Sequence, residues 1–274
     1  MYRKLMVLLA FSVCFQAIIS QNIIGGTDKS SITPNHKLAI GVRGGVNYSQ
    51  WSLNWTKQAL INDLAFASKV GWRAGVSLDL KLWRNLFFES GLYYSVKTTR
   101  FDYGEIWATD GKDTKGPYYP YYIFHPGYLE MPLMLSAQFR ISDMLLLQIG
   151  AGTYIAYGIN GKGKYNDGGA GDEGFMSEDF NVDNLFRSTT TWKMHYDETT
   201  QTTVEHEVKK PSSFRALDYG FCFNAGMSIK RIHLDVCYDL GLRAINQGAV
   251  FPDPMFKIKT RSFSINLGYD FYVE

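Results

Sequence analysis

From residue 38 onward, apolar and polar side chains alternate with a period of two, stretch after stretch. The last stretch, 258–273, is the clearest. One face carries Arg261, Phe263, Ile265, Leu267, Tyr269, Phe271 and Val273, and the other Thr260, Ser262, Ser264, Asn266, Gly268, Asp270 and Tyr272. Successive side chains of a strand point to opposite faces, so this pattern predicts a long strand with one apolar side. The same alternation runs through 72–82, 129–139, 217–229 and 233–243, and less cleanly through 38–48, 86–97 and 145–159. That makes eight strands.

The connections between them fall into two classes. Trp83-Arg84-Asn85, Ile141-Ser142-Asp143 and Lys230-Arg231 are tight, while 49–70, 98–121, 160–213 and 247–257 are long. Tight and long strictly alternate. A soluble sandwich gives no reason for this, whereas a transmembrane barrel has short turns on its periplasmic side and long loops outside. The two faces also differ in bulk: large apolar residues on one, charged residues, Gly, Ser and Asn on the other. A small barrel interior favours small residues, so the bulky face is expected to meet lipid. The chain is therefore read as all-β: an eight-stranded antiparallel transmembrane β-barrel over 38–274, with short periplasmic turns, long extracellular loops and one especially long outer loop at 160–213.

The N-terminus fits export. Arg3 and Lys4 precede an apolar run from Leu5 to Ile19, and the small residues Ala17 and Ser20 follow where a signal peptidase would cut. The run is short for a spanning helix. Residues 1–20 are expected to be a cleaved signal peptide and 21–37 a polar periplasmic lead-in, which places the mature protein in a bacterial outer membrane. Removing Arg3 and Lys4 from 28 basic groups leaves 26 against 26 acidic. A neutral chain gives a nucleic acid nothing to bind. No later segment reaches the roughly 20 apolar residues a spanning helix needs, so a membrane protein of this sequence must be a closed barrel. Its 18 Tyr and 18 Phe suit strands and interfacial girdles.

Several short stretches resemble the PorT-like outer-membrane β-barrel domain family. They are Gly41-Val42-Arg43-Gly44-Gly45-Val46-Asn47-Tyr48-Ser49, Gly75-Val76-Ser77-Leu78-Asp79-Leu80, Glu89-Ser90-Gly91-Leu92-Tyr93-Tyr94-Ser95 and Tyr128-Leu129-Glu130-Met131-Pro132-Leu133 in the first half. Ile149-Gly150-Ala151-Gly152-Thr153-Tyr154, Tyr238-Asp239-Leu240-Gly241-Leu242 and Phe263-Ser264-Ile265-Asn266-Leu267-Gly268-Tyr269 complete the set. Their order holds from about residue 38 to the C-terminus and leaves out 160–213. The resemblance implies an outer-membrane location and an eight-stranded barrel, and no particular activity.

The alternation puts a polar network in the lumen: Arg43, Arg73, Asp79, Glu89, Glu130, Asp235, Asp239 and Arg243, with Lys81 and Lys97 beside them. Both signs are expected in similar number, because buried charges must be paired. Eight strands enclose just enough room for side chains, which argues against a general porin. If Lys230-Arg231 is a two-residue turn, Cys222 falls opposite Asp239 and Cys237 opposite Asn224, a diagonal that disfavours a disulfide. The Gly-rich 158–174 lacks the acidic spacing of a calcium loop. Tyr118, Tyr119, Tyr121, Tyr122 and Phe124 read as an interfacial girdle, and Leu53, Leu60, Leu64 and Ala67 as a short amphipathic helix. His125 and Ser90 both face outward but at opposite strand ends, so they make no nucleophile–base pair. No catalytic, cofactor-binding or metal-binding residue is assigned. The expected role is structural or interactive, in contact with outer-membrane lipid and with a protein partner through the extracellular loops. The alternatives are a narrow channel or accessory component of a transport or secretion complex, a soluble lipid-binding barrel, and a lipid-modifying enzyme.

Overall fold

The computed structural model describes residues 33–55, 65–102, 106–109, 114–118, 121–166, 184–197, 202–210, 212–246 and 256–273. Eight strands form the wall: β1 (Leu38–Ser49), β3 (Ala65–Trp83), β4 (Leu86–Val96), β8 (Tyr121–Arg140), β9 (Leu145–Asn166), β12 (Leu217–Ile229), β13 (Ile232–Gly241) and β15 (Arg261–Val273). The others lie on the long-loop side: β2 (Ser52–Trp55), β5 (Thr99–Asp102), β6 (Ile106–Thr109), β7 (Thr114–Tyr118), β10 (Thr189–Asp197), β11 (Thr202–Lys210) and β14 (Phe256–Lys259). All wall pairings are antiparallel, and β1 bonds to both β15 and β3, closing the ring. Closure leaves no row of unpaired amides.

Side chains alternate between the two surfaces of this wall. On β15, Ile265 is 44% exposed while Asn266 is 3% exposed, and the pattern repeats along the strand. The exposed set is the apolar one: Phe263, Ile265, Leu267, Tyr269, Phe271 and Val273. At about 3.4 Å per residue and a tilt of about 45°, this run rises roughly 24 Å, close to the ~25 Å apolar band of outer-membrane barrels. The bulky face points out and the polar face in. The turns Arg84-Asn85 and Lys230-Arg231 join Trp83 to Leu86 and Ile229 to Ile232, and Arg84 and Lys230 take positive φ of 41° and 57°.

Two sequence expectations on the long-loop side change. The described ends of 53–67 are strand: Ser52–Trp55 is β2, and Ala67 lies in β3 opposite Arg100 of β5, while Leu60 and Leu64 of the expected helix lie outside the described residues. Pairing with distant strands sets the conformation of those two ends. The region 160–213 is also not one loop. Its first residues continue β9, which is 22 residues long beside the 20 of β8. A spanning strand needs about 9–11 residues, so these two rise well beyond the bilayer. β10 and β11 form a hairpin sheet of their own. Residues 1–32, which hold the expected signal peptide and most of the lead-in, lie outside the described residues.

Candidate functional site: a lumen filled in three layers

The middle layer holds the charges. Arg43 sits on β1 between Gly75 of β3 and Gly268 of β15. A Cβ at Gly268 would come within 2.5 Å of Arg43 Cδ, so glycine there makes room for the side chain. The guanidinium reaches Asp270 at 2.5 Å and Asp235 at 3.9 Å. Nearer the outside, Lys97 Nζ lies 3.0 Å from Glu130 and 3.6 Å from Asp239, and Arg73 lies 3.9 Å from Glu130. Tyr93 stacks under Arg73 at 4.3 Å, and Tyr154 faces Lys97 at 4.8 Å. Glu89 accepts a 2.7 Å bond from Asn224 Nδ2, and Asp235 one of 2.6 Å from Asn266 Nδ2.

Of the eight residues the sequence placed here, seven line the lumen. Arg43, Arg73, Asp79, Glu89, Glu130, Asp235 and Asp239 are all buried. Arg243 stands apart: β13 ends at Gly241, whose amide donates to Thr260 O, and Arg243 beyond it is half-buried and outside the cluster. The balance of signs also departs from expectation. Arg43, Arg73 and Lys97 face seven buried carboxyl groups, Asp79, Glu89, Glu130, Asp218, Asp235, Asp239 and Asp270. Asp79 and Glu89 lie directly opposite one another on β3 and β4. Asp218 is held by neutral donors, accepting from Tyr154 Oη at 3.1 Å and Thr260 Oγ1 at 2.7 Å. A cavity of about 40 Å³ runs among these groups. It has room for a few waters and for no solute.

Above this layer lies an aromatic plug. Trp51, Phe66, Phe101, Phe124, Phe214, Ile245 and Ile258 are buried together. Trp51 stacks on Phe124 at 6.0 Å and meets Phe214 edge-on at 5.0 Å. Leu185 and Phe186 drop in from the outer region. The Leu185 amide donates to Gly161 O at 3.0 Å, its carbonyl accepts from Phe214 N at 2.9 Å, and Phe186 packs on Tyr128. This corrects the girdle reading for Tyr122 and Phe124, which are 2% and 0% exposed and face inward. Tyr121 is half-buried with Arg100 over its ring, and Tyr119 lies outside the described residues.

The lead-in forms the floor. Lys81 Nζ donates to Pro34 O at 2.5 Å, and the Lys37 amide to Val273 O at 3.0 Å. These bonds hold His36 inside the periplasmic mouth, 5.1 Å from the Phe87 ring and 4.7 Å from Tyr272. A cleft of about 300 Å³ opens beside it, lined by Asn35, Arg140, Lys230 and Tyr272. Burial, helped by the Lys81 ammonium, holds the His36 pKa below its ordinary value of 6.5. A lowered histidine pKa favours the folded state while the ring is neutral. That stability is complete above pH 6.5 and is lost as the pH falls through the folded value. Acidifying from about pH 7.5 to 5 will therefore lower the thermal midpoint more for the wild type than for His36→Phe, as read from the heat-modified gel band.

Cys222 and Cys237 are free thiols, opposite Asp239 and Asn224 as the two-residue turn implied. A nucleophile–base contact that sequence reasoning missed also appears. Ser228 and His233 are cross-strand partners with Oγ and Nδ1 2.8 Å apart. Carboxylate oxygens lie 3.5 Å from each ring nitrogen, Asp235 at Nε2 and Asp270 at Nδ1. The contact ties β12 to β13 across the lumen wall. Among the described residues no cluster of three or more His, Cys, Asp or Glu has metal-holding geometry.

Residues 20–247 match the family model described as outer membrane protein beta-barrel domain. No curated protein matches the chain by sequence. Among solved structures it is similar to OprG of Pseudomonas aeruginosa, with 10% identity over 87% of this chain and 98% of that one and a TM-score of 0.39. It is also similar to neisserial surface protein A, with 11% identity over 86% and 99% and a TM-score of 0.36. The attachment invasion locus protein Ail of Yersinia pestis, solved with the heparin analogue sucrose octasulfate, shares 11% identity over 86% and 99% with a TM-score of 0.29.

Proposed function

Because the chain belongs to the family of outer-membrane protein β-barrel domains, we propose that it serves that membrane as a structural or interaction protein with a shut lumen, working through the strands and hairpins it raises outside. The observation that carries this reading is the filling of the barrel at three levels. Among the described residues the His36 floor, the ion-paired middle and the aromatic plug fill the lumen, with a cavity of about 40 Å³ in the middle layer and a cleft of about 300 Å³ at the floor. The residues placed beyond the bilayer include nine cross-strand pairs between β10 and β11, from Thr189↔Lys210 to Asp197↔Thr202. In this reading residues 1–20 are the export signal, 21–37 the lead-in, and the seven buried charged residues named from sequence a lumen network that fixes the strands in one register. The ordered likeness to PorT-like proteins supports membership of that narrower group and a partner within an envelope complex.

The test is co-purification from native membranes of the full chain and of a chain with residues 188–211 replaced by a short Gly-Ser linker. That deletion spares Leu185, Phe186 and Phe214 and so leaves the plug in place. A protein retained by the full chain and lost with the hairpin is the expected result. The same partner on both chains, or none on either, would refute the reading. The channel alternative predicts steady unit conductance in planar bilayers. The expected trace for the wild type is flat, and any such steps would overturn the shut lumen.

A further inference from the structure

We infer that the barrel carries a cationic collar just above its apolar belt that binds the phosphate groups of outer-leaflet lipid headgroups. The inference deepens the membrane reading above and rests on its orientation, long loops outward. On β9 the last outward apolar residue is Ile159, and the exposed positions beyond it are Asn160, Lys162, Lys164 and Asn166, two of them cations. Lys162 lies opposite His125 of β8, which is also exposed. At about 3.4 Å per residue and ~45° tilt, Lys162 stands roughly 7 Å above Ile159 and Lys164 about 5 Å higher, the depth of a headgroup layer.

The far side of the barrel repeats the arrangement. Arg261 follows Phe263 as the next outward position on β15, and Lys259 and Lys257 continue the row on β14. Arg261 and Lys257 are exposed and Lys259 is half-exposed, while Ile258 and Thr260 between them are buried. Among the described residues one acid, Asp102, lies at this level on the outer surface. Arg100 already occupies it at 2.5 Å. No ion pair among the described residues neutralises Lys162, Lys164, Lys257, Lys259 or Arg261. Water alone gives no reason to place five unpaired cations in two rows bordering a hydrocarbon-facing belt. A layer of phosphates at that height does, since basic groups beside an anionic membrane surface are attracted to it. The long Lys and Arg stems also let the charges reach up while their carbons cover apolar wall.

The experiment uses the full mature chain refolded into nanodiscs of phosphatidylcholine with one quarter phosphatidylglycerol, then released into detergent and weighed by native mass spectrometry. The wild type is expected to retain phosphatidylglycerol at least threefold over its share of the disc, and 0.5 M salt to erase the preference. The variant Lys162→Gln/Lys164→Gln/Lys257→Gln/Arg261→Gln is expected to lose it. The variant Lys37→Gln/Arg84→Gln/Lys230→Gln/Arg231→Gln, which removes equal charge at the periplasmic end, is expected to keep it. No preference in the wild type, or equal loss in both variants, overturns the collar. The wild-type arm decides the matter even if a variant does not fold. Protease cleavage of the outer hairpins on intact cells tests the orientation separately, so failure of the collar and failure of the membrane reading are distinguishable.

Discussion

Replacing Lys97 with methionine will destabilise the barrel by about 3–5 kcal/mol, the usual effect of removing one partner from a buried ion pair. The side chain is 1% exposed and lies between Glu130 and Asp239, which are 1% and 4% exposed. Methionine matches its length and fills the same space, so the loss is electrostatic and not a cavity. Without the ammonium, two carboxylates remain under the aromatic plug with Arg73 alone, 3.9 Å from Glu130, to balance them. The double variant Lys97→Met/Asp239→Asn leaves one cation with one anion and will recover about half of the loss by the same reasoning. Urea titration in detergent micelles, followed by the shift between folded and unfolded gel bands, measures both. Equal midpoints for the wild type and Lys97→Met would mean that this cluster does not hold the strands together.

How far the sequence exposes this arrangement depends on the range of the physics. Strand number, inward and outward faces and the Cys222–Asp239 register follow from period-two alternation and a two-residue turn, both local. The aromatic plug is not local. Trp51, Phe66, Phe101, Phe124, Phe214, Ile245 and Ile258 come from scattered segments, most next to loops, with no shared period to flag them. For Phe124 and Tyr122 a signal existed. They share the parity of Glu130 and Tyr128 on β8, so extending that strand upstream turns them inward. Taken as a cluster of rings near a bilayer, they looked like a girdle. The surplus of acids escaped notice because Asp218 and Asp270 are held by hydroxyl groups, His233 and Arg43, partners identified by ring closure and not by spacing. Arg243 misled for the converse reason: its alternation continues past Gly241, where the β13 ladder stops.

A single charge on the outside wall tests the premise beneath all of this. Leu267, near the middle of the outward run on β15, is 59% exposed and paired across the sheet with Leu234, which is 42% exposed. In a water-soluble barrel an arginine at so exposed a position would change stability by no more than about 0.5 kcal/mol. Against hydrocarbon the same substitution costs about 2–4 kcal/mol near the midplane, where the guanidinium cannot reach water by extending along the wall. At the edge of the belt the cost falls to about 0–1 kcal/mol, so Phe263→Arg, four residues nearer the outside and one outward position short of Arg261, should be far milder. The expected result is a depth gradient in refolding yield and unfolding midpoint in phospholipid vesicles, steep at Leu267 and shallow at Phe263. The gradient separates lipid from a protein partner, because a protein surface covering the belt would penalise both sites by local packing and not by depth. Equal and small effects at both positions would mean that water, not lipid, surrounds the apolar stripe.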